Sequence, residues 1–282
     1  MIGSRALIGG AIVAAFVVSA GFAQAPAPAV QAPAAPASTV APAGRGQQAP
    51  LPPALLSCPE LSTALRGVAA NDSRLRDWAQ LGRYREANRT VGPVDVVFMG
   101  DSITDSWPQE RFGPFFPGKR YLGRGISGQT TPQMLVRFRP DVLNLKPKVV
   151  IILAGTNDIA GNTGPMTDDE IQDNMASMAE LATAAGVKVV FSSITPTAAY
   201  HAAPNGVPQT TVRPMERIRK INDWMKTYAA AHKHIYADYF SAMLDSAGLM
   251  KAEFTADDLH PNAAAYAVMA PIAQAAIDRA MR

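Results

Sequence analysis

Five short apolar runs stand out along the second two-thirds of the chain, at residues 94–99, 120–122, 149–154, 187–194 and 235–238. The first is bounded by Pro93 and Gly100 and carries almost no polar alternation, the pattern of a strand covered on both faces. Between the runs the apolar period changes to that of helices. Residues 168–185 place Ile171, Met175, Met178 and Leu181 at near-helical spacing and stop at Gly186. Residues 213–231 do so with Ile218, Ile221, Trp224, Met225 and Tyr228, and residues 262–281 with Tyr266, Met269, Ile272 and Ile277. Strands alternating with helices predict an α/β domain with a parallel sheet and right-handed crossovers. Upstream, residues 55–88 predict one or two helices lying on that domain, with Leu65, Trp78 and Leu81 as packing contacts.

The N-terminus is built differently. A single cation, Arg5, precedes an apolar segment at 6–18 and the small-residue stretch Ser19-Ala20-Gly21-Phe22-Ala23, the pattern of a signal peptide cut after Ala23. The alternative, a retained membrane anchor, is disfavoured because the apolar stretch is shorter than the roughly 20 residues of a membrane-spanning helix. No cysteine follows it to take a lipid, so the first mature residue is Gln24. Residues 24–53, rich in Ala, Pro, Gln and Gly, predict a disordered tether. The expected organisation is therefore a signal peptide at 1–23, a linker at 24–53, a helical extension at 54–90 and a catalytic domain at 91–282, in a periplasmic or secreted protein without a stable membrane span. Cys58 is the one cysteine of the 282 residues and excludes an internal disulfide. The net charge of +3 is mild. Its one basic cluster, Arg213 to Lys220, is interrupted by Pro214, Met215, Glu216 and Ile218 and predicts a solvated helix face rather than a nucleic-acid site.

Chemistry-bearing residues gather just after the apolar runs, where open α/β sheets bind ligands. In Met99-Gly100-Asp101-Ser102-Ile103 a serine follows the first run at a turn, with Asp101 placed to brace that turn or cap a following helix. After the second run, Gly123-Arg124-Gly125-Ile126-Ser127-Gly128 matches neither a Walker loop nor a complete dinucleotide fingerprint, but exposes an unobstructed N–H at Gly128. After the third run, Ala154-Gly155-Thr156-Asn157-Asp158 offers an amide side chain that can pin its own turn or donate to a developing oxyanion. Near the end, Asp257-Asp258-Leu259-His260 supplies a histidine with an aspartate three residues before it. That spacing lets the carboxylate accept from one imidazole nitrogen while the other takes a proton from serine. Asp258 competes with Asp257 for this place. The His232-Lys233-His234 pair lacks a third ligand nearby in sequence, so no metal is assigned.

In order and interval the four segments resemble the blocks of the SGNH, or GDSL-type, serine hydrolase superfamily, over about residues 94–280. The bacterial lysophospholipase-like and acetylesterase-like acylhydrolases are especially similar. The resemblance implies Ser102 as nucleophile, His260 as base and Asp257 as its orienter. It implies an oxyanion hole made by the main-chain amides of Ser102 and Gly128 and the side chain of Asn157, and no cofactor. It also implies a flavodoxin-like three-layer α/β/α sandwich with a five-stranded parallel sheet of order 2-1-3-4-5. Ile103 stands where the motif's leucine would, a volume-conserving change, and Gly123 stands where close relatives often carry asparagine.

The expected activity is hydrolysis of esters of small acyl groups, with carbohydrate O-acetyl esters as one substrate class, because no long amphipathic lid is present. A lysophospholipase or thioesterase for longer chains is the enzymatic alternative. A non-catalytic envelope or carbohydrate-binding module, or a flavodoxin-like cofactor binder, is the alternative from another class. Two segments are candidates for the walls of the substrate pocket. One is 195–211, with Tyr200, His201, Pro204, Gly206 and Pro208. The other is 107–116, whose Phe112, Phe115 and Phe116 either border the pocket or pack inside.

Overall fold

A computed structural model describes residues 77–202 and 206–282. The expected signal peptide and linker, with Cys58 and Leu65, lie outside the described residues.

In chain order the elements are α1 (Arg85–Thr90), β1 (Val96–Gly100), α2 (Ser102–Ser106), β2 (Tyr121–Gly125), α3 (Thr131–Asp141), β3 (Val149–Leu153) and α4 (Thr156–Ile159). There follow α5 (Asp168–Ala184), β4 (Lys188–Ser192), α6 (Gln209–Val212), α7 (Met215–Ala231), β5 (Ile235–Ala237), α8 (Tyr239–Met243) and α9 (Ala263–Ala280). Single 3-10 turns occupy Glu110–Phe112, Leu143–Leu145 and Ala252–Phe254. The five strands form one parallel sheet of order β2-β1-β3-β4-β5.

Because side chains alternate across a strand, the two faces of the sheet feed two separate cores. Val97, Met99, Val150, Ile152, Val189 and Phe191 point to one face and meet Met134 and Phe138 of α3, Met175 and Met178 of α5, and Ile221 and Met225 of α7. Val96, Phe98, Val149, Ile151, Leu153 and Val190 point to the other and meet Ile103 of α2, Met243 of α8, and Tyr266, Met269 and Ile277 of α9. The result is the three-layer α/β/α sandwich. Burying each of these larger side chains contributes about 1.5–3 kcal/mol.

Register fixes where the chemistry goes. Gly100 pairs with both Gly125 and Leu153, so the three strands end at one level and the chain leaves the sheet three times along the same edge. Gly125 is required there by close approach. A Cβ at this position would lie 2.0 Å from the Asp105 main-chain nitrogen and 2.6 Å from the Asp101 carbonyl oxygen, so α2 rests directly on the end of β2.

Several expectations are corrected. β2 runs to Gly125 rather than ending at Leu122, so Gly123 and Gly125 are strand residues and not part of a loop. α7 begins at Met215, not Arg213, because Pro214 lacks the N–H of a helix interior and takes the N-cap position. The predicted packing contacts Trp78 and Leu81 are exposed, as is Leu181 on α5. The upstream helical expectation is met among the described residues only by the short α1.

Candidate active site

Ser102 is the first residue of α2, whose N-cap is Asp101. The Asp101 side chain accepts from the Ile103 N–H at 3.0 Å and its carbonyl accepts from the Asp105 N–H at 2.8 Å, as the sequence predicts for a turn brace. Its second carboxyl oxygen is buried without a hydrogen bond. Burial foremost pushes the Asp101 carboxyl up to about 6, against the Ile103 N–H and the nearby His260 and Arg213. On α2 the buried Tyr266 hydroxyl donates to the Ile103 carbonyl at 2.7 Å. Helix and serine are thereby tied to α9 across one face of the sheet.

His260 Nε2 stands 3.0 Å from Ser102 Oγ, and His260 Nδ1 stands 2.6 Å from Asp257 Oδ2. The short contact to a carboxylate makes Nδ1 the donor, which leaves Nε2 free to accept from the serine hydroxyl. Asp257 Oδ1 also accepts from the main-chain N–H groups of Leu259 and His260, at 3.1 and 2.8 Å. Partial burial works to raise the Asp257 carboxyl. The hydrogen bonds from His260 and Leu259 outweigh it and hold the group well below the usual carboxylate range. The competing Asp258 faces elsewhere. It sits in the left-handed region at φ 64° and accepts from the His201 N–H and from His201 Nδ1, each at 2.8 Å.

Gly128 sits at φ 81°, a conformation that favours glycine, and its N–H makes no hydrogen bond to the described residues. Its carbonyl accepts from Asn162 Nδ2 at 3.0 Å. The preceding residue is anchored to α2, since Ser127 N–H and Oγ both donate to Asp105 Oδ2, at 3.2 and 2.8 Å. Asn157, on α4, donates from Nδ2 to the Gln129 carbonyl at 3.0 Å and accepts at Oδ1 from Arg213 Nη2 at 3.4 Å. Of its two amide N–H groups, one remains for the cleft. Gln129 is itself held by Arg137, a fully buried guanidinium that also donates to the carbonyls of Gly100 and Arg124, both at 2.8 Å.

Ser102, Gly128, Asn157, Asp257 and His260 line a cleft of about 530 Å³. Arg213 lines it too, a correction to the reading of residues 213–220 as a solvated face: Arg213 is buried and donates from Nε to the Thr156 carbonyl at 3.1 Å. Pro214, which starts α7 one residue later, is the signal that could have placed this arginine on a loop over the strand ends. None of the described residues of 195–211 lines the cleft. From 107–116, Phe112 and Arg111 line it, whereas Phe115 and Phe116 pack around Phe98 and Trp107. The glycine at position 123 has a local cause, since a Cβ there would stand 2.8 Å from the Pro108 ring.

A 2-1-3-4-5 parallel sheet with a Gly-Asp-Ser block at the end of its first strand defines the SGNH, or GDSL-type, class of hydrolases. Residues 98–268 match the GDSL-like Lipase/Acylhydrolase family, and the chain belongs to it; carboxylic ester hydrolysis is the chemistry of that family. Among solved structures, a GDSL-like lipase from Bacteroides thetaiotaomicron is 37% identical, with a TM-score of 0.65 over 72% of this chain and 98% of that one. Esterase TesA of Pseudomonas aeruginosa is 30% identical over 178 residues, 62% of this chain and 79% of that protein. Lipoprotein YqeF of Bacillus subtilis is 35% identical over 121 residues, so the match spans 37% of this chain and half the length of that relative. Among the described residues no helix is long and apolar enough to cross a membrane.

Proposed function

We propose that the protein is a serine esterase for carboxylic esters of small acyl groups, carbohydrate O-acetyl esters among them. The observation that carries this reading is the unbroken relay from Ser102 Oγ through the His260 ring to Asp257. Ser102 Oγ attacks the ester carbonyl carbon while His260 Nε2 takes the hydroxyl proton. Asp257 keeps the ring in the tautomer that can accept it and stabilises the imidazolium that forms. The oxyanion of the tetrahedral intermediate accepts from the main-chain N–H groups of Ser102 and Gly128 and from Asn157 Nδ2, each donor fixed before reaction. His260 then returns its proton to the leaving alkoxide as the C–O bond breaks. Water, deprotonated by His260, attacks the acyl-enzyme and releases the acid, and Ser102 recovers its proton.

The cleft mixes the polar side chains of Ser106, Ser127, Asn162 and two arginines with Phe112, Leu259 and Pro261, so acyl-chain length is what the ester series has to decide. The similarity to esterase TesA supports the reaction class. The apolar N-terminal segment, together with a lipoprotein among the relatives, supports work in the periplasm or outside the cell.

The test is hydrolysis of p-nitrophenyl acetate, butyrate and octanoate by the purified chain and its Ser102→Ala variant. Acetate is turned over fastest, and the variant loses a factor on the order of 10⁶ in kcat. Octanoate as the best substrate would shift the reading to a lysophospholipase or thioesterase. Equal inactivity of both proteins on all three would favour a binding module.

A further inference from the structure

Arg111 stands at the rim of the cleft, on the 3-10 turn Glu110–Phe112, and is exposed. Its guanidinium lies over the Phe112 ring, 4.6 Å from the centroid. That ring is itself seated, edge-on at 5.1 Å, against Tyr266, whose hydroxyl holds the helix that carries Ser102. The cation is therefore stationed relative to the serine rather than loose in solvent.

The charges around it are already committed. Asp257 serves His260, and Asp105 serves Ser127 and Arg83. Arg213, the second guanidinium of the cleft, is occupied by Thr156, Gln209 and Asn157. Among the described residues no carboxylate lies within ion-pair distance of Arg111. The cleft thus carries two guanidinium groups against the one carboxylate of Asp257, and the donors of one of the two bond to none of the described residues. A planar fork of N–H donors with no internal partner matches the oxygens of a carboxylate or phosphate.

We infer that the ester taken by this site carries an anionic group, a carboxylate or a phosphate, held by Arg111 beside the scissile carbonyl. The inference rests on the esterase reading above and narrows its substrate class. Neutral esters are the poorer substrates, because they leave the rim cation with water alone.

The experiment compares three para-substituted phenyl acetates, 4-acetoxybenzoate, 4-acetoxyphenyl phosphate and the neutral 4-acetoxybenzamide, using the full chain at low salt. Each kcat/KM is divided by that ester's alkaline hydrolysis rate, and p-nitrophenyl acetate is run alongside. At least one anionic ester is preferred over the amide by about 2- to 5-fold, the size of one solvent-exposed charge pair. Which of the two is favoured identifies carboxylate or phosphate. The preference collapses at about 1 M NaCl, where the screening length is about 3 Å. It also collapses in Arg111→Ala, reverses in Arg111→Glu, and survives Arg89→Ala, a charge removed from α1. Equal rates on the three esters, a preference that outlives Arg111→Ala, or cleavage of p-nitrophenyl acetate alone would overturn the inference and leave the esterase reading standing. Failure to cleave any ester at all would overturn both.

Discussion

Arg213 and Asn157 share a hydrogen bond from a buried guanidinium Nη2 to an amide Oδ1, at 3.4 Å, on the wall of the cleft. An asparagine amide is nearly symmetric in shape, and this contact determines which end faces where. With Oδ1 occupied by Arg213 and one N–H spent on the Gln129 carbonyl, the remaining N–H is the only part of the amide left for an oxyanion.

If Arg213 acts through Asn157, its removal costs turnover rather than binding. Arg213→Ala lowers kcat on p-nitrophenyl acetate by about 10- to 100-fold, less than the roughly 10² to 10³ of losing an oxyanion donor outright, with KM little changed. Arg213→Lys recovers only part of the loss, since an ammonium cannot reach Thr156, Gln209 and Asn157 together. A double-mutant cycle separates positioning from general damage: in an Asn157→Ala background, Arg213→Ala costs little more. Additive losses would make Arg213 independent of Asn157.

The neighbouring aspartates make a second comparison. Asp257→Asn removes the acceptor that fixes the His260 tautomer and is expected to lower kcat by about 10⁴. Asp258→Asn disturbs only the pairing with His201, and asparagine tolerates the left-handed backbone that Asp258 adopts, so kcat falls by less than about tenfold. Steady-state kinetics of the two variants decide it, and the reverse order would transfer the orienting role to Asp258.

How far the sequence reaches is visible in these same residues. Ser102, Gly128 and Asn157 were legible because each follows an apolar run, and a parallel sheet brings such positions to one edge whatever the loops do between them, whereas His260 was legible from the aspartate three residues before it. The strand order was carried by the family resemblance and is reproduced by the pairing of β1 with both β2 and β3. Arg213 and Arg137 were not legible, because a charged side chain reads as solvent-facing until its acceptors are known, and several of theirs are main-chain carbonyls distant in sequence. The described residues of 195–211 turn elsewhere. The segment's aromatic and polar residues look like a pocket wall, but Thr195, Thr197 and Ala198 are buried, Tyr200 bonds to Asp245, and His201 turns to Asp258.

Gly125 provides a test of the contact between sheet and serine helix. Gly125→Ala drives a methyl into the main chain of α2, which cannot yield as a side-chain tip would, and costs about 3 kcal/mol or more. Gly92→Ala, where nothing lies within 4 Å of the added carbon, is the control and is neutral or slightly stabilising. Urea unfolding reads both: the Gly125 variant lowers the midpoint strongly, and an unchanged midpoint would show that α2 does not bear on β2.

Asp101 makes stability depend on pH in a direction opposite to that of most paired carboxylates. Its folded value of about 6 lies above the roughly 3.9 of an unfolded aspartate, so between those values the native state holds a proton that the unfolded chain has released. Stability from this group is therefore complete below about pH 4, is lost as pH rises to about 6, and is level beyond. A shift of about two units corresponds to about 3 kcal/mol. The groups that act on it are the carboxyl of Asp158, which raises it further, and His260 and Arg213, which oppose burial without cancelling it. Asp101→Asn cannot titrate but keeps an oxygen to accept the Ile103 N–H. The variant's stability relative to the native protein then climbs by about 3 kcal/mol from pH 4 to 6 and stays level to pH 8, measured by urea unfolding at each pH. A difference that is constant across that range would mean that Asp101 is ionised throughout and that its buried oxygen is solvated.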